Sequence, residues 1–181
     1  VAVRDVRVGD ERVLTQLLAG LSPTSTYRRF LSGSPASVPS YLATLMSPAE
    51  TVCALLASVE NRVVAVASLH PDRVGSAEFA VAVADEAQGD GIGTLLLEEL
   101  VCRARGLGLT RLTALVLADN APMLEVFGEL GLVRTVSRPD RGEVDVVVDL
   151  SAAATFETLV ASRAATAHAA AESRQDRDAA S

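Results

Sequence analysis

The sequence predicts an α/β fold: a mixed central β-sheet of about seven strands flanked by about four helices. Three observations carry this prediction. The hydrophobic period switches along the chain between strand and helix spacing, in the order strand, helices, three strands, helix, strand, helix, two strands. One glycine-rich turn runs from a strand straight into an apolar helix, at residues 87–100, AQGDGIGTLLLEEL. The strand, helix and strand around that turn imply a right-handed parallel crossover inside an otherwise antiparallel sheet.

The elements follow in order. VAVRDVRV alternates polar and apolar residues and reads as the first strand. In GDERVLTQLLAGL, Asp10 stands where an N-cap is expected, and Val13, Leu14, Leu17, Leu18 and Leu21 fall on one helical stripe. SPTSTYRRFLS opens a second helix with Ser22 as cap and Pro23 at the first helical position, where the missing N–H removes no bond. SGSPAS is a loop and VPSYLATLM a further short helix. TVCALLASV and RVVAVASLH are β-rich, with Glu60 and Asn61 as the turn between them. PDRVGS turns again into AEFAVAVAD and completes a three-strand antiparallel meander. The helix after the glycine turn covers residues 91–105, LGLT ends it, and RLTALVL is the next strand. NAPMLEVFGELG is a short helix closed by Gly131 as its C-cap, and LVRTVSR, a PDRG turn and EVDVVVDL make a final hairpin. Residues 151–181 are Ala-rich and lack a sustained apolar stripe, so they read as a marginal helix or flexible tail beyond a single domain of residues 1–150.

Composition narrows the function classes. A chain of 181 residues can bury one real core. With aromatics at 3% and no Trp, that core is built from Val, Leu and Ala. The net charge of -7 argues against nucleic-acid binding and favours cationic partners such as amines. Cys53 and Cys102 sit in apolar runs and read as buried small hydrophobes, and no metal-ligand spacing of Cys or His is present. No apolar run is long enough to span a bilayer and the first residues do not resemble a signal peptide, so the expected setting is the cytoplasm, with no membrane partner.

A strand that ends in glycines and opens a helix is an anion site. The first helical N–H groups point outward, the helix dipole adds to them, and glycine lets backbone approach the ligand closely. An ATP-type loop is excluded, because no Gly-Lys-Ser/Thr follows. The dinucleotide pattern G-x-G-x-x-G fails at its sixth position, which counted from Gly89 is Thr94. The stretch Gln88-Gly89-Asp90-Gly91-Ile92-Gly93 fits a third pattern, [Q/R]-x-x-G-x-[G/A]. With it, and with Asn120, Phe127, Gly131 and Leu132 downstream, residues 1–150 resemble the GNAT family of N-acetyltransferases.

The resemblance implies the GNAT fold, with a splayed parallel strand pair at the coenzyme A site, and acetyl-CoA as cosubstrate with no metal. It places the pyrophosphate on backbone N–H groups of Gly89, Gly91, Gly93 and Thr94. It places the pantetheine arm along Val81 to Val83, and it adds Gln88, Asp90, Ile92, Asn120 and Phe127 to the cofactor-binding set. Two residues depart from the family habit. Asp90 stands where Arg or Lys is usual, and an acid beside a phosphate is unfavourable unless it faces solvent. Phe127 stands where a Tyr often serves as acid.

Acetyl transfer needs a neutral amine, and a free lysine has a pKa near about 10.4, so a base must remove a proton. Glu78 is the candidate catalytic base: the one charge inside AEFAVAVA, on a face with Ala80, Ala82 and Ala84, where partial burial would tune it. A solvated or arginine-paired strand acid is the alternative. Glu86 and His70 are weaker candidates: Glu86 is otherwise a solvated loop acid, and His70, at a strand end before Pro71, is otherwise a turn residue. Tyr27 and Tyr41 either line an acceptor site or pack. The segment LSPTSTYRRFLS is similar to a helix of bacterial protein lysine acetyltransferases, in which Arg28 and Arg29 would touch an acidic partner surface or bound coenzyme A; a solvated helix face is the alternative. The expected reaction is transfer of acetyl to a primary amine, a protein lysine first. A small amine (polyamine, amino acid or antibiotic) and a catalytically weak acyl-CoA-binding module are the alternatives, and a homodimer is allowed for.

Overall fold

The computed structural model describes residues 1–151 except Gly33, Pro35, Pro48, Val74 and residues 130–133. The C-cap expected at Gly131, the motif residue Leu132 and the tail beyond Ser151 lie outside the described residues.

Seven strands form one sheet in the order β1-β2-β3-β4-β5-β7-β6. They are β1 (Ala2–Asp5), β2 (Cys53–Val59), β3 (Arg62–Pro71), β4 (Ser76–Val83), β5 (Arg111–Leu117), β6 (Arg134–Val136) and β7 (Glu143–Asp149). The helices among the described residues are α1 (Glu11–Ala19), α2 (Pro23–Phe30), α3 (Ser37–Met46), α4 (Ile92–Gly106) and α5 (Ala121–Glu129), five where about four were expected. The meander β2-β3-β4 is antiparallel, as the two short turns require. Glu60 and Asn61 both take positive φ, 49° and 64°, the backbone of a two-residue hairpin whose twist matches its strands. In the other half of the sheet, β7 pairs with β5 on one side and β6 on the other, both antiparallel.

Among the described residues only β4 and β5 run parallel, and their pairing is short. It covers Ser76↔Arg111, Ala77↔Leu112 and Glu78↔Thr113. Beyond Glu78, β4 continues to Val83 with β3 on one side and no strand pairing on the other. At the usual rise per strand residue, this leaves a slot about 16 Å long between β4 and β5.

Both faces of the sheet are covered, which explains why β3 is buried without interruption from Val64 to Leu69. The stripe Leu14, Leu17, Leu18 carries α1 onto one face, with α3 against it. On the other face α4 buries Ile92, Leu96, Leu97, Leu100, Val101 and Ala104 over β2, β3 and β4. Asp10 does stand at the N-cap position of α1, but its carboxylate makes no cap bond. It is taken by the Arg4 guanidinium, through two bonds of 2.7 Å, and by the Arg7 N–H at 2.7 Å. A charged bidentate partner outcompetes the neutral helix N–H groups. The cysteines are also less buried than expected. Cys53 is half-buried, with its thiol pKa pushed up by burial, and Cys102 is exposed on the outer side of α4.

Candidate active site

The glycine turn is built by backbone conformations that L-residues resist. Gly89 and Gly91 take φ 85° and 76°, and Gly91 serves as N-cap of α4 with no side chain closing the helix end. A Cβ at either would meet nothing within 4 Å, so the space in front of the turn is open. The N-terminal N–H groups of α4 therefore face an unobstructed region, where the helix dipole favours an anion.

From this turn a cavity of about 480 Å³ runs into the slot where β4 parts from β5. It is lined by Glu78 to Val83 of β4, Ala114 to Val116 of β5, residues of α5 and the C-terminal half of α2. The alternation of β4 gives it two sides. Phe79 stacks edge-on against Phe127 of α5, with ring centroids 5.8 Å apart, so Phe79, Val81 and Val83 face α4 and α5. Ala80 lies opposite Ser68, whose hydroxyl bonds Tyr41 of α3, so Glu78, Ala80 and Ala82 face the α2–α3 side. The slot thus joins the glycine turn on one face of the sheet to Glu78 on the other.

The residues expected at the cofactor separate into two groups. Val81, Val83, Gln88, Gly89, Gly91, Ile92, Gly93, Thr94 and Asn120 all line the cavity. Asp90 and Phe127 do not. Asp90 is exposed and absent from the cavity wall, although its neighbours Gly89 and Gly91 belong to it. Phe127, at 2% exposure, belongs to the core behind Phe79.

The acid–base candidates also separate. Glu78 is exposed and lines the cavity, so the partial burial expected of it is absent in the free chain. Glu86 is held by Arg62 at 2.8 Å on the surface. His70 lies at the end of β3, as expected, one residue before Pro71 and directly across from Glu78, and so belongs to the strand rather than to the turn. Its Nδ1 lies 2.9 Å from the Glu50 carbonyl, which can only accept, so Nδ1 carries a hydrogen. In the neutral ring Nε2 then accepts from Ser68 at 2.7 Å, and the Ser68 oxygen accepts from Tyr41 at 2.8 Å. Both His70 nitrogens are spent on this chain, which is buried only at its Ser68–Tyr41 end and ties α3 to the sheet. Tyr41 packs at 7% exposure, whereas Tyr27 is 49% exposed. The Arg29 guanidinium lies over the Tyr41 ring, 4.0 Å from its centroid, and forms part of the cavity wall.

One arrangement at the site had no sequence signal. Asp85, in the single turn before the glycine loop, accepts from the Ser22 N–H at 2.8 Å and from the hydroxyls of Ser22 and Ser25 at 2.7 Å each. Those donors, the Ser22 N–H first, hold its carboxyl below the usual carboxylate range. Gln88 completes the clamp by donating to Ser25 Oγ and to the Val83 carbonyl, both at 3.1 Å. The start of α2, the end of β4 and the glycine turn are thereby fixed to one another. The partners are 60 and 63 residues apart in sequence, so no local pattern announces them. Among the described residues no group of His, Cys, Asp and Glu could hold a metal ion, and no helix is long and apolar enough to cross a membrane.

An open turn at a helix N-terminus, continuous with a slot between parted parallel strands that extends to the Glu78 carboxylate, defines an α/β protein with a cavity suited to a long ligand with an anionic end. Residues 23–132 match the model of the acetyltransferase (GNAT) family, and the chain belongs to that family of acyltransferases. It is similar to the acetyltransferase Pat of Mycolicibacterium smegmatis, 40% identical over 74 residues. Those residues are 41% of this chain and 22% of that protein, so the match spans about a fifth of the relative's length. Among solved structures, the GNAT domain of S. lividans PAT is 27% identical with a TM-score of 0.68, over 81% of this chain and 89% of that one. The protein yncA of Salmonella typhimurium, solved with its cofactor acetyl-CoA, shares the fold at a TM-score of 0.70 and 19% identity, over 86% of this chain and 96% of that one.

Proposed function

We propose that this chain transfers acetyl from acetyl-CoA to a primary amine, with a protein lysine as the acceptor and Glu78 as the general base. The observation that carries the reading is the continuity of the cavity: the glycine turn and Glu78 lie at two ends of one slot through the sheet. The residues present suit the cosubstrate. The turn is open at Gly89 and Gly91, the slot is lined by Phe79, Val81, Val83, Ala114 and Val116, and its volume lies in the range of ligand sites. The resemblance of LSPTSTYRRFLS to a helix of bacterial protein lysine acetyltransferases favours a protein acceptor.

Acetyl-CoA supplies the activated acyl group: the amine nitrogen bonds to the thioester carbon while the carbon–sulfur bond breaks and sulfur leaves as thiolate. The backbone N–H groups of Gly89, Gly91 and Gly93 hold the pyrophosphate, and the unpaired edge of β4 at Val81 to Val83 aligns the arm. Glu78 takes the proton that the acceptor ammonium must lose before its nitrogen can attack, directly or through water. No tyrosine is among the described residues that line the cavity, and in this reading the departing thiolate takes its proton from water.

The test is Glu78→Gln. Loss of a general base lowers kcat by about 10² to 10⁴, while acetyl-CoA affinity, which Glu78 does not serve, stays near wild type. Wild-type turnover by Glu78→Gln across the pH range would remove Glu78 from the mechanism. Binding of acetyl-CoA with no thiol release on any amine, protein or small, would overturn the transferase reading itself.

A further inference from the structure

Next to the cavity lies a second, more open groove of about 640 Å³. Its walls are Thr24, Tyr27 and Arg28 of α2, Asp119 after β5, and Arg141 in the turn before β7. Arg28 lines both hollows, so the groove adjoins the cavity that holds Glu78.

Its charge runs against that of the chain. The chain carries a net charge of -7, yet this groove presents two arginines against one aspartate. Among the described residues, neither the Arg28 nor the Arg141 guanidinium meets a carboxylate. The backbone under Arg141 adds a second observation. Asp140 and Glu143 exchange backbone bonds of 2.9 and 2.8 Å around a two-residue turn in which Arg141 has φ 50° and Gly142 has φ 85°. Such a turn favours Asn, Asp or Gly at the Arg141 position, and an arginine there is strained. The Ala118 N–H donates to the Gly142 carbonyl at 2.9 Å and fixes the turn against the end of β5. A residue that the backbone disfavours is therefore held at the groove, with no carboxylate partner for its charge among the described residues.

We propose that this groove receives the stretch of the acceptor protein flanking its target lysine, and that Arg28 and Arg141 select a carboxylate side chain in that stretch, with Tyr27 as an exposed platform beside it. The inference rests on the protein-lysine reading above. Two guanidiniums repel a basic flank and favour an acidic one, so a single neighbouring carboxylate changes kcat/KM by about fivefold, the size of a partly exposed ion pair.

The experiment compares lysine peptides identical except for Glu, Gln or Lys beside the target, measured by thiol release from acetyl-CoA with wild type, Arg28→Gln and Arg141→Gly. The expected order is Glu over Gln over Lys, expressed in KM and weakened by salt, with the Glu:Gln ratio falling toward one in both variants. Glycine adopts φ 50° freely, so Arg141→Gly melts at or above the wild-type temperature, and its loss of selectivity cannot be assigned to unfolding. Equal kcat/KM for the Glu and Gln peptides, or a preference kept in both variants, overturns the inference and leaves the lysine reading intact. Turnover of free amino acids with no peptide acetylated overturns both.

Discussion

Replacing Asp85 by Ala removes the group that ties α2 to the cofactor turn. Its carboxylate accepts three hydrogen bonds, from the Ser22 N–H at 2.8 Å and from the Ser22 and Ser25 hydroxyls at 2.7 Å. Ser22 is itself the N-cap of α2, accepting from the Ser25 N–H at 3.2 Å. Asp85 is exposed, so water replaces part of what is lost. Substitutions at a helix N-terminus cost about 0.5–2 kcal/mol, and the exposure places this one near about 1 kcal/mol, or about 2–4 °C in Tm for a domain of this size. The pH dependence has a definite sign. The folded-state pKa of Asp85 is lowered, chiefly by the Ser22 N–H. Its contribution is therefore complete above the ordinary carboxylate pKa, near about 3.9, and is lost as pH falls through the lowered folded value. Thermal melts of wild type, Asp85→Ala and Asp85→Asn from neutral to acid pH test this. The gap between wild type and Asp85→Ala should close in acid, and Asp85→Asn, which keeps an acceptor oxygen, should fall between them. Because α2 carries Arg28 and Arg29, acceptor KM should rise with the same substitution. The clamp is refuted if Asp85→Ala melts within about 1 °C of wild type at neutral pH, or if the gap is the same in acid.

Three further predictions concern other parts of the molecule. Gly91→Val places a β-branched residue at φ 76° and a side chain over the open turn, so acetyl-CoA affinity should fall about tenfold or more. Gly108→Val, at the same φ but away from the cavity, is the control, and equal affinity loss in both would assign the effect to backbone strain rather than to the cradle. Phe127→Ala empties a site that is 2% exposed behind Phe79 and should cost about 3–5 kcal/mol; a denaturant titration showing a loss below about 1 kcal/mol would contradict its place in the core. Asp10→Asn breaks the bidentate bond to Arg4, whose side chain is what chiefly lowers the Asp10 pKa. Stability should drop by about 1–2 kcal/mol at neutral pH, with the difference from wild type vanishing as pH falls below the carboxylate range, and a pH-independent difference would exclude the ion pair as its cause.

Elements set by short-range pattern were legible in advance. The hairpin at Glu60 and Asn61, the Ser22–Pro23 helix start and the stripe Leu14, Leu17, Leu18 each depend on residues within one or two turns of each other. Asp10 shows where such reading stops. Its position as a cap was correct, but a charged partner six residues away in sequence took the carboxylate. Cys102 sits in an apolar run and is nevertheless exposed, because α4 buries one face only. At the site, the six-residue motif located the turn, yet it did not separate Asp90, which is absent from the cavity wall, from the neighbours that form it.

The sequence by itself determined the order and type of the elements, the glycine turn that opens α4, and the one acid inside β4, because these follow from periodicity, capping chemistry and the backbone freedom of glycine. Tertiary structure alone decided where β4 and β5 part, that Glu78 and the turn share one cavity, that Asp85 clamps α2, and that Arg28 and Arg141 meet at one groove. The physical reason is range. Hydrophobic period and turn chemistry act between near neighbours, whereas a cavity is assembled by strands and helices distant in sequence, through pairings that no local stretch encodes.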